Sequence, residues 1–110
     1  MKRTPENLVK KEIKDWLDIH HFFHFPLIAG LGCHPGLPDR IAIKDCVVLF
    51  IEIKGPKGEL SANQIFFRRD VESRGGHYIV ARGYEDIEQY WNKYGRREPK
   101  KEDKEQSHDR

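Results

Sequence analysis

Cys46-Val47-Val48-Leu49-Phe50-Ile51-Glu52-Ile53-Lys54 is the most apolar run of the chain, and it ends on an acid and a base. The run is β-branched and aromatic and apolar on both faces, so it predicts a central strand over 46–53. An acid and a base at the end of a buried strand are costly to desolvate, so packing alone is a poor reason to keep Glu52 and Lys54 there. Upstream, Ile41–Ile43 reads as a partner strand, with a hairpin turn at Lys44-Asp45. That turn sets Ile43 against Cys46, Ile41 against Val48 and Asp39 against Phe50. Asp39 then shares a face with Glu52 and Lys54, and Glu52 is its diagonal neighbour, with backbones about 7–8 Å apart.

Working outward, Val9, Ile13, Trp16, Leu17 and His20 recur at helical spacing, predicting a first helix from Pro5 to about His21, opened by a Thr4 cap. Phe22–Ile28 reads as a strand, and the loop containing Gly30, Gly32, Pro35, Gly36 and Pro38 delivers Asp39. Downstream, Gly55-Pro56-Lys57-Gly58 breaks the central strand. Ser61-Ala62-Asn63-Gln64 is a capping-box pattern opening a second helix that Gly75-Gly76 ends. His77–Ala81 is a further strand, and Ile87, Tyr90, Trp91 and Tyr94 mark a third helix. From Gly95 on nothing apolar remains to bury, so residues 95–110 are expected to form a charged, disordered tail behind a single domain over 1–94. The order implies an α/β fold with a mixed sheet flanked by helices, the second helix supplying a parallel crossover.

At 110 residues the chain fits one core with no room for a separate substrate domain. No apolar run reaches bilayer length and no hydrophobic stretch follows the basic N-terminus, so neither a membrane span nor a secretion signal is expected, and the default compartment is the cytoplasm. Cys33 and Cys46 lie in no metal-type pair, which argues against a disulfide framework or a closed zinc site. His20 and His24 lie four apart, but the acid of a metalloprotease helix is missing between them. The net charge of +2 is too small to argue for nucleic acid by itself. Placement has to carry that case: Lys10, Lys11 and Lys14 on the first helix, Lys57 beside the acids, and Arg68, Arg69 and Arg74 on the second helix are candidate phosphate contacts, each equally readable as solvated surface.

Two carboxylates as near as Asp39 and Glu52 repel unless a positive charge lies between them, and a Mg²⁺ or Mn²⁺ ion would remove that penalty. Such an ion would acidify a bound water and polarise a phosphoryl group, leaving Lys54 to hold the nucleophile or offset charge. The bland alternative is a structural ion pair at a strand end. Glu12 is a fourth candidate, because its helical direction places it at the edge of the Val9, Ile13 and Trp16 face. Gln64 is open between two roles, bonding the Ser61 amide as a capping-box partner or taking a catalytic role beside the acids.

Gly36-Leu37-Pro38-Asp39-Arg40, then Phe50-Ile51-Glu52-Ile53-Lys54-Gly55-Pro56, then Leu60-Ser61 and Gln64 together resemble the VRR-NUC group of PD-(D/E)XK nucleases, and look like a small stand-alone phage or bacterial member. The resemblance spans Glu12 to Tyr90. It implies a restriction-endonuclease-like fold and a metal-dependent nuclease in which Asp39, Glu52 and the Ile53 carbonyl bind Mg²⁺ or Mn²⁺. Lys54 is then catalytic, Glu12 is the helix-borne acid and Gln64 the motif glutamine. Stand-alone members are similar to Holliday-junction resolvases, which implies a homodimer acting on branched DNA, a DNA-repair type of chemistry. Phe22, Phe23 or Trp91 are candidates for the dimer surface if the core does not need them. The rival expectations are a non-catalytic nucleic-acid-binding module with the same fold, and a monomeric nuclease directed to flaps or ends.

Overall fold

A computed structural model describes residues 6–95. The first helix, α1, covers Glu6–Ile19, followed by β1 (Phe23–Pro26), β2 (Arg40–Lys44), β3 (Val47–Ile53), α2 (Ala62–Ser73), β4 (His77–Ala81) and α3 (Tyr84–Tyr90). A π-helical turn over Trp91–Gly95 extends α3. The four strands form one sheet in the order β1-β2-β3-β4. Neighbours pair antiparallel except β3 and β4, which run parallel through the α2 crossover. The Thr4-Pro5 cap and all but the first residue of the expected tail lie outside the described residues. Among the described residues no helix is long and apolar enough to cross a membrane.

Alternation along β3 builds the core. Val47, Leu49, Ile51 and Ile53 are buried on one face, where Val9, Ile13, Trp16 and Leu17 of α1 and Ile87 and Trp91 pack against them with Ala42, Ile79 and Ala81. Full burial of a side chain such as Leu49 or Ile51 contributes roughly 2 kcal/mol. The other face carries Val48, Phe50 and Glu52, and α2 covers only part of it, through Phe67 stacked edge-on against Phe50 at 5.6 Å. The strand is central as expected, but its second face is only half covered. Phe22 and Trp91 stack at 4.9 Å inside the core and cannot serve a dimer surface, whereas Phe23 is exposed.

The hairpin turns one residue later than the spacing suggests. Lys44 pairs with Val47, so the turn is Asp45-Cys46, and both residues take positive φ (53° and 67°), the backbone of a type I′ turn. The twist of the two strands favours that turn even though neither residue is glycine. The register therefore moves by two: Ile43 faces Val48 and Ile41 faces Phe50. Carried one step past Arg40 and Ile51, it sets Asp39 directly opposite Glu52, still on the same face but closer than the diagonal placement.

Two further contacts fix α2 against the sheet end. Ser61 caps α2 in a complete capping box with Gln64. Gly36, at φ +77°, lies so close to the first turn of α2 that a Cβ there would collide with the Asn63 carbonyl. The loop that ends in Asp39 is thus docked onto the helix that carries Gln64.

A non-glycine residue in the left-handed region costs about 1–2 kcal/mol, partly offset by the freedom glycine adds to the unfolded chain. Cys46→Gly, which makes an Asp-Gly turn, is expected to stabilise the fold by about 0.5–1 kcal/mol and raise Tm by several degrees in a thermal melt. An unchanged or lower Tm would show that the turn is not strained.

Candidate active site

The carboxyl end of β3 and the amino end of β2 meet at one edge of the sheet. Beyond Arg40 the ladder stops, because Pro38, which would face Ile53, has no N–H to give. The Asp39 side chain takes over: its Oδ2 accepts the Ile53 N–H at 2.7 Å. The Asp39 carbonyl in turn accepts the Leu27 N–H at 2.8 Å, closing the β1 side. On the far side of the strand, the Lys54 N–H donates to the Ala81 carbonyl. An antiparallel strand sends the N–H and C=O of one residue the same way, so the Ile53 carbonyl faces the gap beside Asp39.

Glu52 is only 4% exposed, the one buried acid among the described residues. Its Oε2 accepts from Gln64 Nε2 at 3.0 Å and sits 3.4 Å from Lys54 Nζ. Gln64 bonds both the cap and the acid. Its Oε1 accepts the Ser61 N–H at 2.9 Å, which fixes the amide orientation and aims Nε2 at Glu52. Lys54 is held from behind by the Gly55–Gly58 turn. A Cβ on Gly58 would press on the Lys54 stem at 3.3 Å, and Arg82 donates to the Gly55 carbonyl at 2.6 Å.

These contacts do not fully settle the charge. Burial, and then the adjacent Asp39 carboxylate, push the Glu52 carboxyl up from 4.5 to about 7, against the pull of Lys54. Close by on the same face, the buried Tyr78 hydroxyl has no partner among the described residues, and burial with the charge of Glu52 keeps it neutral.

On α1 the residue facing Asp39 is Lys10. Its Nζ lies 4.0 Å from Asp39 Oδ1 and 3.5 Å from Glu6 Oε2, so one ammonium joins two acids. Glu12 is elsewhere: it lines a separate cleft with Asp15, Trp16, Ile19 and Tyr84. The helix-borne acid near the site is Glu6. The sequence carries the signal, because the Val9 and Ile13 stripe, continued one turn back, reaches Glu6 and not Glu12. Of the other cations named from sequence, Lys11 pairs with Asp15, Arg68 with Glu72 and Arg74 with Asp70, all on the surface.

No family model matches the chain, and no curated protein does. A solved structure described as a VRR_NUC domain matches 81% of this chain and 96% of its own, with a TM-score of 0.69 and 20% sequence identity. The chain has the fold of a VRR_NUC domain. The mixed four-stranded sheet with its three helices is accordingly the PD-(D/E)XK-like arrangement expected from the Pro38-Asp39 and Glu52-Ile53-Lys54 motifs. The VRR_NUC likeness shows the architecture, and the chemistry rests on the residues themselves.

The donor set suits a hard divalent cation. Two carboxylates and a backbone carbonyl are all oxygen, and the pair carries a repulsion that a cation would relieve. Lys10 already stands as a cation between Glu6 and Asp39. Among the described residues no three His, Cys, Asp or Glu side chains gather into a group that could hold a metal ion.

The raised Glu52 carboxyl makes a stability prediction. Between about 4.5 and about 7 the folded protein holds a proton that the unfolded chain releases. Stability therefore falls as pH rises through that window and levels off above it. In chelator, Glu52→Gln is expected to remove the slope and to exceed wild type above neutral pH by on the order of 2 to 3 kcal/mol. Urea midpoints measured across pH check this; a flat wild-type profile, or the same slope in the variant, assigns the proton elsewhere.

Proposed function

We propose that this protein is a metal-dependent endonuclease that hydrolyses phosphodiester bonds in DNA. The observation that carries the reading is the Asp39 carboxylate, held by the Ile53 N–H next to Glu52, with Lys54 3.4 Å from Glu52. A bound Mg²⁺ or Mn²⁺, held by Asp39, Glu52 and the Ile53 carbonyl, would supply an acidified water and an electrophile for the phosphoryl oxygens. The protein does the rest. The Ile53 N–H occupies Asp39 Oδ2 and orients that carboxylate; Gln64 and Lys54 both engage Glu52 Oε2 and orient the other. Lys54, only 18% exposed at its side chain, keeps an ammonium beside the reacting phosphate to hold the nucleophile or offset developing charge. Lys10 offers a second ammonium from the α1 side. Glu6, through Lys10, takes the place expected of Glu12.

The working form in this reading is a homodimer acting on branched DNA in the manner of a Holliday-junction resolvase. The open sheet face supports it: Phe23 is 67% exposed, Phe25 stacks on it at 5.5 Å, and Val48 continues the patch. Contiguous apolar surface of this kind is uncommon on a monomer.

Asp39→Asn and Glu52→Gln are each expected to reduce cleavage of labelled junctions by at least about 10³-fold in Mg²⁺ or Mn²⁺ while DNA binding persists. Lys54→Ala should lose about 10²-fold or more. Undiminished cutting by either acid variant would falsify the catalytic assignment. A wild-type protein that binds junctions yet cuts no junction, flap or duplex is instead a binding module. A monomer on a sizing column that prefers flaps removes the resolvase form but keeps the nuclease.

A further inference from the structure

Arg40, the last residue of the Pro-Asp-Arg run, takes no part in the chemistry at Asp39 and Glu52. It follows Asp39 in the chain and lines, with Lys10, Pro26, Leu27, Asp39 and Ile53, a cleft of about 170 Å³. Arg40 pairs with Ile51, whose side chain lies in the core beneath α1, so Arg40 points to the α1 side of the sheet. We propose that Arg40 binds a phosphodiester oxygen of the DNA strand as it crosses the sheet end, and that His24 and Asp18 are positioning residues that hold its guanidinium in place; the DNA ligand rests on the nuclease reading.

The positioning chain is explicit. Arg40 NH1 lies 2.7 Å from His24 Nδ1, and His24 Nε2 lies 2.6 Å from Asp18 Oδ1. A guanidinium can only donate, so Nδ1 is the bare nitrogen and Nε2 carries the hydrogen given to Asp18. Both ends of the ring are thereby fixed, and the His24 side chain is only 6% exposed. This uses a buried imidazole to aim one cation.

The cation itself is short of an anion. Among the described residues no carboxylate lies within ion-pair distance of Arg40. One hydrogen bond to a neutral ring leaves the other donors of the fork unspent. With Lys10 on the same cleft, two cations flank Asp39 on the α1 side. A phosphate is the anion that such a fork matches, and a nucleic-acid backbone presents a row of them.

The test is the affinity of the full-length protein for a fluorescein-labelled duplex and a four-way junction, followed by anisotropy across a salt titration. Arg40→Gln is expected to bind about tenfold more weakly and to lose about 0.9 from the slope of log K against log salt, the signature of one phosphate contact. His24→Asn keeps an acceptor near the Nδ1 position and should stay within about twofold of wild type, with an unchanged slope. His24→Leu should fall to the level of Arg40→Gln. A folded Arg40→Gln with wild-type affinity and slope overturns the proposal. If Arg40→Gln does not fold, the contrast between His24→Leu and His24→Asn decides, and equal binding by the two overturns it. Arg40-dependent binding without cleavage would remove the nuclease reading and leave this one. Intact cleavage with binding indifferent to Arg40 would do the reverse, and no DNA binding by wild type overturns both.

Discussion

A single hydrogen bond, from the Ile53 amide to the Asp39 carboxylate, fixes the geometry on which the candidate site depends. Asp39 ends a loop rich in glycine and proline, and a carboxylate there would otherwise be free to swing. Because Pro38 cannot continue the ladder, the side chain of the next residue substitutes for it, and Asp39 is locked opposite Glu52. The lock has a cost. It brings two acids together at a place where one of them is almost fully buried, and Glu52 responds by holding its proton to about 7. The neighbouring positive and hydrogen-donating groups, Lys54, Gln64 and Lys10, are arranged around that cost.

Gln64 shows how little extra apparatus this takes. A helix beginning at Ala62 needs its first amides satisfied, and Ser61 with Gln64 meets that need whatever else happens nearby. Once Gln64 Oε1 is spent on Ser61, the only direction left for its NH₂ group is away from the cap, and Glu52 is there. Local helix chemistry and site chemistry are thus one requirement on one side chain. Gly36 closes the circuit, since its contact with Asn63 ties the Asp39 loop to the same helix turn. A shift of α2 would disturb both acids at once.

Most of this architecture is legible in the residue pattern, and the misses have physical causes. The unbroken apolar run of Val47 to Ile53, the Ser61 box and the Gly75-Gly76 stop mark β3 and α2 because each rests on local composition or local hydrogen bonding. The hairpin register is not legible: Asp45-Cys46 holds no glycine, so nothing local announces two positive φ values, and strand twist decides the turn. Trp91 is readable as apolar but not as buried, because its place depends on Phe22, distant in sequence. Glu12 borders the apolar stripe and Glu6 continues it one turn back, and which end of α1 meets the site is set by how the helix crosses the sheet.

The surface charge bears on how a chain of net charge +2 could hold DNA. Several cations that look available in the sequence are neutralised within their own helices: Lys11 by Asp15, Arg68 by Glu72, Arg74 by Asp70. Such pairs contribute little to stability, but they cancel the field that would draw a phosphate to the helix surface. Near the sheet end stand Lys54, held beside Glu52 on the α2 side, and Lys10, shared between Glu6 and Asp39, with Arg40 on the α1 side. A backbone crossing that end would meet cations on both faces with Asp39 and Glu52 between them. In the proposed reading, a few placed charges at one edge therefore supply both affinity and register. A larger net charge would add binding without adding position.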